Sequence, residues 1–258
     1  VLYEATVGSS AFCVKAIRNS MSKMLDDPKR RKHEGRVKVS YRSKVRHLKN
    51  EFSVAHGLHD GKGEPLVRIF ALRKVRRMGI EIGYDLLMQR IQGKDLSNKL
   101  LLDSLTLPQK VDCFFQAVKA LEFLHRKRFI HLDIKPSNLM LENNRVILID
   151  FGMTVTQGLR PRTIRGTAGF LSPEQIVRDY LDVQTDIFAL GVTFAVFFGA
   201  RPLRQIPSEL KNRDLKTEAK YHLANLTSPM ISEIPEIKKM PNLTQLICRC
   251  TIPRRDKR

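Results

Sequence analysis

Three polar residues in the segment 131–138 have the types and the spacing needed to transfer a phosphate group. Asp133 can accept the proton of a hydroxyl and orient that hydroxyl as a nucleophile, and Lys135 can reach the phosphate in transfer. The side-chain oxygen of Asn138, five residues after Asp133, can bind magnesium. Together with His131, this set arises by chance in roughly 1 of 600 chains of this length. The segment therefore indicates phosphoryl transfer.

A second acidic motif, Asp150-Phe-Gly152, stands twelve residues after Asn138, at the end of an apolar segment predicted to be a strand (146–149). A hairpin before this motif would fold Asp150 back towards Asn138, so that both side chains could hold metal. Either motif alone could be a loop aspartate that caps a turn. Because both occur at this spacing, we predict that Asn138 and Asp150 are metal ligands.

The elements that must position these residues differ between the two parts of the chain. The first part has segments rich in β-branched and aromatic residues, which predict four strands at 1–6, 11–17, 66–75 and 82–91. Apolar residues at spacings of three and four also predict one helix, and Glu51 stands beside its apolar stripe. The stripe consists of Val45, Leu48, Phe52, Ala55 and Leu58.

The second part is predicted to be mostly helical. Thr106 and Gln109 form a capping-box pattern at the start of a helix. The apolar face of that helix is predicted to be Val111, Phe114, Val118 and Leu121. A hairpin is predicted around the turn Asn143-Asn144, and the segment 183–198 is apolar nearly all round, which is typical of a buried helix.

These patterns predict an α+β fold of two lobes, residues 1–91 and 92–258, with a cleft between them. The chain has 258 residues, 42% of them hydrophobic, which is the composition of a folded protein rather than of a disordered tail. Its longest apolar run, 188–198, is too short for a membrane span, which needs about 20 residues. The start does not resemble a signal peptide, and the four cysteines form no metal or disulfide pattern. We therefore expect a cytoplasmic, reducing location.

The chain is strongly basic, with 46 Lys and Arg against 26 Asp and Glu and a formal net charge of +20. Twelve of these basic residues lie between positions 18 and 49, against three acidic residues. This stretch could be a solvated insertion, or it could bind an acidic protein, nucleic acid or an anionic membrane surface. No aromatic platform or nucleic-acid motif accompanies it, which argues against sequence-specific binding of nucleic acid.

The segment 131–138 and the motif at 150–152 resemble the catalytic loop and the metal-binding motif of the eukaryotic-type protein kinase family. The resemblance extends over nearly the whole chain. It implies a small β-rich lobe with one main helix, a larger helical lobe, and transfer of phosphate from ATP, with Mg²⁺, to a protein substrate. Lys135, together with Thr167 in the segment 166–174, is similar to the Ser/Thr branch of that family.

The resemblance also implies a role for individual residues. Asp133 would be the catalytic base, and Thr167 would contact Asp133 and Lys135. Lys15 would bind the α- and β-phosphates and would pair with Glu51. Asp186 would hold the backbone of the catalytic loop, and Arg258 would pair with Glu174. The residues implied to contact the nucleotide are Leu2, Cys13, Lys15, Met88, Gln89, Ile91, Asp95 and Met140, with Met88 at the gatekeeper position and Asp95 at the ribose.

Three features depart from the family pattern. No Gly-rich phosphate loop stands before Leu2, and Gly8-Ser9-Ser10 is on the wrong side of the first strand, so we expect it to be a strand turn. Leu132 replaces the arginine that a phosphorylated activation loop binds, which predicts activity without that phosphorylation and leaves three threonines as weak switch candidates. Those threonines are Thr154, Thr156 and Thr163. The basic stretch is the third departure, and it would suit an effector delivered into a host cytosol or a divergent cellular kinase.

Two other functions remain open at this point. A kinase-like scaffold without activity is disfavoured, because the residue type that catalysis requires is present at all five positions that carry the chemistry. These are Lys15, Glu51, Asp133, Asn138 and Asp150. A small-molecule phosphotransferase on a related fold is disfavoured by the segment 166–174 and by Asp186, which resemble protein kinases.

Overall fold

The computed structural model describes residues 1–7, 10–19, 40–58, 64–200 and 239–258. The expected turn at Gly8-Ser9 and most of the basic stretch at 18–49 therefore lie outside the described residues. The chain divides into two compact units, Val1–Gln92 with Asp150–Gly152, and Gly93–Ile149 with Met153–Arg258. The sequence-based division at residue 91 assigned the motif at 150–152 to the second part. The structure groups it with the first, because its neighbours there include Lys15 and Asn50.

The first unit contains one antiparallel sheet with the strand order β1-β2-β4-β3. Its strands are β1 (Leu2–Val7), β2 (Ser10–Arg18), β3 (Ile69–Arg77) and β4 (Ile80–Gln89), and helix α1 (Tyr41–Leu58) lies between β2 and β3 in the chain. The last two strands are shifted from their predicted bounds because they share a two-residue turn. Met78 and Gly79 both have positive φ there, 51° and 77°, as a tight hairpin turn requires.

Helix α1 buries a stripe that differs from the predicted one at three positions. Phe52 is only half-buried, while Glu51 is buried in the middle of the stripe and Val54 adds to it. The shift follows from the 3.6-residue period, which places position 51 in line with Leu48 and Ala55. A carboxylate inside an apolar stripe needs a charged or hydrogen-bonded partner, which the functional site supplies.

The second unit begins with a short strand and a long helix. Its first elements are β5 (Lys94–Asp95), α2 (Lys99–Ser104) and α3 (Leu107–Arg126). The predicted capping box is confirmed, since the N–H of Thr106 donates to Gln109 Oε1 at 2.9 Å. The predicted apolar face of α3 is wrong at Val118, which is 37% exposed. Small residues, Ala117 and Ala120, carry much of the buried face instead, because they allow close packing.

The remaining elements of the second unit follow α3 in the chain. They are β6 (Phe129–Ile130), β7 (Leu139–Glu142), β8 (Arg145–Leu148), β9 (Val155–Thr156), α4 (Pro173–Val177), α5 (Val183–Phe197) and α6 (Pro241–Cys250). The predicted hairpin is confirmed, with positive φ at Asn143 and Asn144 in its turn. The predicted buried helix is α5. It packs so tightly on α6 that a Cβ at Gly191 would lie 2.6 Å from Cys250 Cβ.

Within the described parts of the chain, no helix has the length and apolar character that a membrane crossing requires. The apolar helix α5 lies in the core of the second unit, where Phe188 and Phe194 are fully buried. The ring of Phe194 packs edge-on against Phe114 of α3 with 4.7 Å between centroids. These aromatic contacts join α3 and α5 in the core of the second unit.

Candidate functional site

Lys15, Glu51 and Asp150 form a charged cluster in the first unit. Lys15 Nζ lies 2.8 Å from Glu51 Oε2 and 3.2 Å from Asp150 Oδ1. Lys15 projects from β2 and Glu51 from the buried stripe of α1, while Asp150 follows β8 with a positive φ of 65°. The predicted contact between Lys15 and Glu51 is confirmed. The lysine is 30% exposed and Glu51 only 1%, so the ammonium group is the accessible member of that pair.

The cluster shifts the pKa values of its members. Burial by itself would lower the pKa of Lys15, but the carboxylates of Glu51 and Asp150 outweigh burial and raise it above its ordinary value. Burial raises the pKa of Glu51 to about 7, with a smaller contribution from Asp150, although Lys15 opposes the shift. Lys15 therefore stays cationic at neutral pH, as a ligand for phosphate oxygens must be.

The backbone around Asp150 is held by helix α1. Asn50 Nδ2 donates to the carbonyl oxygens of Phe151 and Gly152 at 3.0 and 3.2 Å, and the N–H of Gly152 donates to Asp150 Oδ1 at 3.3 Å. A Cβ at Gly152 would lie 3.3 Å from His47 Cβ, so glycine permits this close approach. Sequence reasoning missed Asn50. Its only signal was its place beside Glu51.

The nucleotide residues that sequence predicted in the first unit lie on neighbouring strands. In the sheet, Leu2 pairs with Lys15, and Cys13 pairs with Met88, so these four residues share one face. Met88 is buried, Cys13 is half-buried and Leu2 is 65% exposed. Gln89 closes β4, where its N–H donates to the Arg68 carbonyl at 2.8 Å. Contact of these residues with a nucleotide stays a prediction.

Ile91 follows β4 and is half-buried. The two nucleotide residues predicted in the second unit are paired with each other, since Asp95 of β5 stands opposite Met140 of β7. Asp95 Oδ1 accepts a hydrogen bond from the Ser97 N–H at 2.9 Å. Gly93, just before β5, has no room for a side chain, because a Cβ would lie 1.9 Å from the Leu141 carbonyl oxygen.

Asp133, Lys135 and Thr167 form a closed triangle in the second unit. The Thr167 hydroxyl donates to Asp133 Oδ1 at 2.6 Å, and Lys135 Nζ donates to Thr167 Oγ1 at 2.7 Å and to Asp133 Oδ2 at 2.8 Å. The contacts expected for Thr167 are confirmed. The triangle places a carboxylate and a cation side by side, as proton acceptance and neutralisation of phosphate charge both require.

Asn138 is oriented by the same aspartate. Its Nδ2 donates to the Asp133 carbonyl oxygen at 2.8 Å and to Asp133 Oδ2 at 3.2 Å. Because both donors of the amide point at Asp133, the side-chain oxygen is the atom left to bind a cation. Asp150 contributes a carboxylate that is 41% exposed. An amide oxygen and a carboxylate are each ligands of the type that a hard cation such as Mg²⁺ prefers. Binding of a metal by these two residues stays a prediction.

The described residues contain no group of three or more His, Cys, Asp or Glu side chains that could hold a metal by themselves. This observation argues against a structural metal centre built only from such side chains in the described ranges.

The backbone of the segment 131–138 is held by Asp186 of α5. Its carboxylate accepts from the N–H of His131 at 2.8 Å and from the N–H of Leu132 at 2.9 Å, as expected. His125 Nε2 also lies 2.8 Å from Asp186 Oδ2, a contact that sequence reasoning missed. Leu132 is buried with Ile130 in a cluster completed by Val155 and Leu181. Leu132 is therefore a buried core residue.

The end of the chain is joined to α4. Arg258 forms a two-pronged ion pair with Glu174, with nitrogen–oxygen distances of 2.6 and 2.9 Å, and its side chain is fully buried. The guanidinium also stacks 4.8 Å from the centroid of Phe188. The expected pair is confirmed. It holds α4, and with it the end of the segment 166–174, to the core of the second unit.

The sequence matches the protein kinase domain family over residues 8–258. It is similar to an Aurora kinase of Candida glabrata, with 36% identity over 112 residues that make up 42% of this chain and 31% of that protein. A death-associated protein kinase related protein of Drosophila melanogaster is 35% identical over 127 residues, which are 45% of this chain and 18% of the relative.

A bacterial relative shows comparable similarity. Serine/threonine-protein kinase PknB of Mycobacterium leprae is 32% identical over 125 residues, covering 45% of this chain and 20% of that protein. The chain thus matches less than a third of the length of each of these three relatives.

Proposed function

The chain belongs to the protein kinase domain family, and from this membership we propose that it transfers the γ-phosphate of ATP to Ser or Thr hydroxyls of protein substrates. The observation that carries the proposal is the triangle of Asp133, Lys135 and Thr167. It places a proton acceptor beside a cation. Transfer of a phosphate group to an alcohol needs this combination, whereas an aspartate with a purely structural role does not.

In the proposed reaction Asp133 receives a substrate hydroxyl and orients its oxygen for in-line attack on the γ-phosphorus. The proton of that hydroxyl passes to Asp133 Oδ1 or Oδ2 as the new oxygen–phosphorus bond forms. The bond between the γ-phosphorus and the β,γ-bridging oxygen of ATP breaks, and ADP leaves. Lys135 neutralises charge on the phosphate being transferred. Thr167 fixes the carboxylate, because its hydroxyl donates to Oδ1 while Lys135 donates to Oδ2.

The first unit would bind the nucleotide. Lys15, kept cationic and oriented by Glu51, would hold the α- and β-phosphates, and the face formed by Leu2, Cys13 and Met88 would contact the adenine. Magnesium, when bound, neutralises phosphate charge. Asn138 and Asp150 would hold it through their side-chain oxygens, the atoms that fit such an ion.

A kinase assay with peptide and metabolite substrates tests the proposal. Transfer of labelled γ-phosphate to Ser or Thr in proteins, lost in Asp133→Ala and in Lys15→Ala, is the expected result. Asp112→Ala, which removes an exposed carboxylate of α3, is the matched control and should keep activity. Label found only in small metabolites would instead support a small-molecule phosphotransferase, and no transfer despite ATP binding would support a scaffold.

We further propose that activity does not require phosphorylation of the activation segment. Leu132 brings no charge to the loop and packs in an apolar cluster, so no anion is needed to neutralise it. Of the three threonines considered as switches, Thr154 is only 1% exposed and is excluded by its burial, whereas Thr156 and Thr163 are exposed. Arg160, a nearby cation, already pairs with Asp179 at 3.2 Å.

Phosphatase-treated protein, and a variant with Thr156 and Thr163 changed to Ala, would test this independence. Turnover of a generic Ser/Thr peptide should stay close to that of untreated protein. A fall of more than about tenfold, equivalent to about 1.4 kcal/mol of barrier, would contradict it.

The location and the partner of the basic stretch are proposals of the same kind. We propose a cytosolic protein, which includes the cytosol of a host if it is a delivered effector, and an acidic protein partner for the basic stretch. Support comes from the described end of that stretch, where Arg42, Lys44 and Arg46 are exposed along the start of α1. Fractionation of cells that express the protein tests the location. Salt-sensitive binding of an acidic peptide, weakened when these three residues are changed to Ser, tests the partner.

A further inference from the structure

Gln175 is a buried side chain at which three separate stretches of backbone meet. Its Oε1 accepts from the N–H of Ser172 at 2.9 Å, and its Nε2 donates to the carbonyl oxygens of Leu132 at 3.0 Å and Arg165 at 2.8 Å. The residue is 2% exposed. Both donor hydrogens and the acceptor of the amide are thus engaged by backbone, in a site that water does not reach.

The first of these stretches is the catalytic loop at the position that departs from the family. Leu132 has a φ of +68°, which side chains other than glycine seldom adopt. Such a conformation persists only where its surroundings hold it. Both polar backbone groups of Leu132 are held, its N–H by Asp186 and its carbonyl by Gln175.

The second stretch leads directly to the catalytic triangle. The Arg165 carbonyl, which accepts from Gln175, is two residues before Thr167 in the chain. Gly166 lies between them with a φ of +113°, and a Cβ there would come within 2.6 Å of the Leu132 carbonyl and 2.9 Å of Gln175 Nε2. The segment 165–167 therefore packs closely against the catalytic loop and the amide of Gln175. Thr167, the residue after Gly166, donates its hydroxyl hydrogen to Asp133.

We propose that Gln175 is a positioning residue that fastens the segment 165–167 to the catalytic loop and so keeps the Thr167 hydroxyl on Asp133 without any phosphate. The inference rests on the proposed kinase function and explains how its independence of phosphorylation is achieved. An arginine and a phosphate can form such a link only after modification. A neutral amide with every hydrogen-bonding atom satisfied carries no buried charge and forms the link permanently.

The principal test is Gln175→Met, which keeps the length of the side chain and removes all three hydrogen bonds. We expect kcat for a Ser/Thr peptide to fall by at least about tenfold, while KM for ATP stays within about twofold, since Gln175 touches none of the residues proposed to bind ATP. Unchanged kcat in a folded Gln175→Met protein would overturn the inference.

Gln116→Met is the matched control. Gln116 is also a bridging glutamine of the second unit, because its Nε2 donates to the Asn144 carbonyl and its Oε1 accepts from the Val146 N–H, each at 2.8 Å. It supports the hairpin turn instead of the catalytic loop. A merely structural role for Gln175 predicts that both variants lose stability and that neither loses kcat.

Gln175→Glu provides a second variant with a separate readout, and it is the variant to use if Gln175→Met does not fold. It keeps the bond from Ser172, but an ionised carboxylate faces two carbonyl oxygens and donates to neither. When protonated it can donate to one of them, and burial raises the pKa of a carboxyl group. The ratio of its kcat to that of the wild type should therefore rise as pH falls from about 8 to about 6. A flat ratio would contradict the proposed role.

Amide hydrogen exchange tests the role of Gln175 independently of the proposed kinase activity. Amides in the segment 165–171 should exchange faster in the Gln175→Met protein than in the wild type or in Gln116→Met, and this measurement needs no activity. If phosphate-free wild type shows no turnover, the proposed independence fails, yet exchange still decides the role of Gln175. Equal exchange in the three proteins would overturn the inference even if the kinase is active.

Discussion

Asp133 and Asp150 are two carboxylates whose surroundings suit them to different tasks. Asp133 is buried and accepts hydrogen bonds from Thr167 and Lys135, which fix its direction. Asp150 is half-exposed and shares the Lys15 ammonium with Glu51. Geometry thus favours Asp133 as the group that handles the hydroxyl and Asp150 as the group that holds metal.

This division predicts opposite effects of two isosteric changes. Asp150→Asn should weaken magnesium-dependent binding of ATP by at least about tenfold, because it removes a charged metal ligand. Asp133→Asn should leave that binding within about twofold and lower kcat by about a hundredfold or more, because the proton acceptor is lost. Calorimetric titration and steady-state kinetics of both variants decide the matter, and an equal loss of binding in the two would argue against separate roles.

Glu51 predicts a pH dependence of stability. Its pKa is about 7 when folded and near its ordinary 4.5 when unfolded, so between these values the folded protein holds a proton that the unfolded chain has released. The stabilisation from that proton is complete below about 4.5 and is lost as pH rises through about 7. Relative to Glu51→Gln, the wild type should lose up to about 3 kcal/mol of unfolding free energy over this window.

Urea unfolding of the two proteins at a series of pH values measures this difference. Subtracting the two curves cancels the titrating groups that do not interact with Glu51. Lys15 is not one of them, because Glu51 contributes most to raising the pKa of Lys15 above its ordinary value and this contribution is lost in Glu51→Gln. A difference that does not change with pH would show that Glu51 is ionised over the whole range in the folded protein.

Among the elements, helix α1 contacts both Lys15 and the motif at 150–152, which is proposed to bind metal. Glu51 orients Lys15, and the neighbouring Asn50 holds the carbonyls of Phe151 and Gly152. One rotation or shift of the helix would therefore disturb both the phosphate ligand and the backbone beside Asp150. A movement of the sheet would not act in the same way, because among these residues only Lys15 lies on its strands.

Asn50→Ala should destabilise the protein by about 1–3 kcal/mol and also weaken magnesium-dependent nucleotide binding, because two hydrogen bonds to backbone are lost beside Asp150. Asn19→Ala is its control, since Asn19 Nδ2 donates to the Glu81 carbonyl at 2.8 Å in the same unit without approaching Asp150. The control should lose stability only. Equal binding in both variants would limit Asn50 to a structural role.

Features that depend on neighbouring residues in the sequence could be predicted. Which side chains of a helix are buried was harder to predict. The capping box at Thr106 and the hairpin turn at Asn143 depend on neighbouring residues, and both are confirmed. The error at Val118 arose because an apolar pattern does not count alanines, whose small side chains fill the buried face of α3. Asn50 and Gln175 could not be predicted either, because their partners are backbone atoms that only the folded chain brings near.

For the molecule as a whole, the predicted α+β protein kinase fold is confirmed, since the chain belongs to that family and has a β-rich first unit and a mostly helical second unit. The long-range pair of Arg258 and Glu174 was predictable only through the resemblance, because nothing local connects residues 84 positions apart. The structure adds its full burial, which makes it a permanent link between the end of the chain and α4.

Glu174→Gln tests that link at the scale of the whole protein. Removing one charge of a fully buried pair leaves the Arg258 cation without its partner, which should lower the unfolding free energy by about 3–5 kcal/mol. Glu122→Gln is the contrast, because its pair with Arg126 on α3 is exposed and should be worth no more than about 1 kcal/mol. Similar small losses in the two variants would show that Arg258 finds solvent or another acceptor.

The close contact between Gly191 of α5 and Cys250 of α6 also provides a way to measure how often these two helices separate. The Cys250 thiol is buried where α6 meets α5, and burial raises its pKa, so it is both hidden and poorly ionised. A thiol reagent can modify it only after α6 has moved away from α5. The labelling rate of Cys250, followed by mass spectrometry against half-buried Cys248 on the same helix, therefore measures how often this helix pair separates, and no cysteine has to be introduced for it.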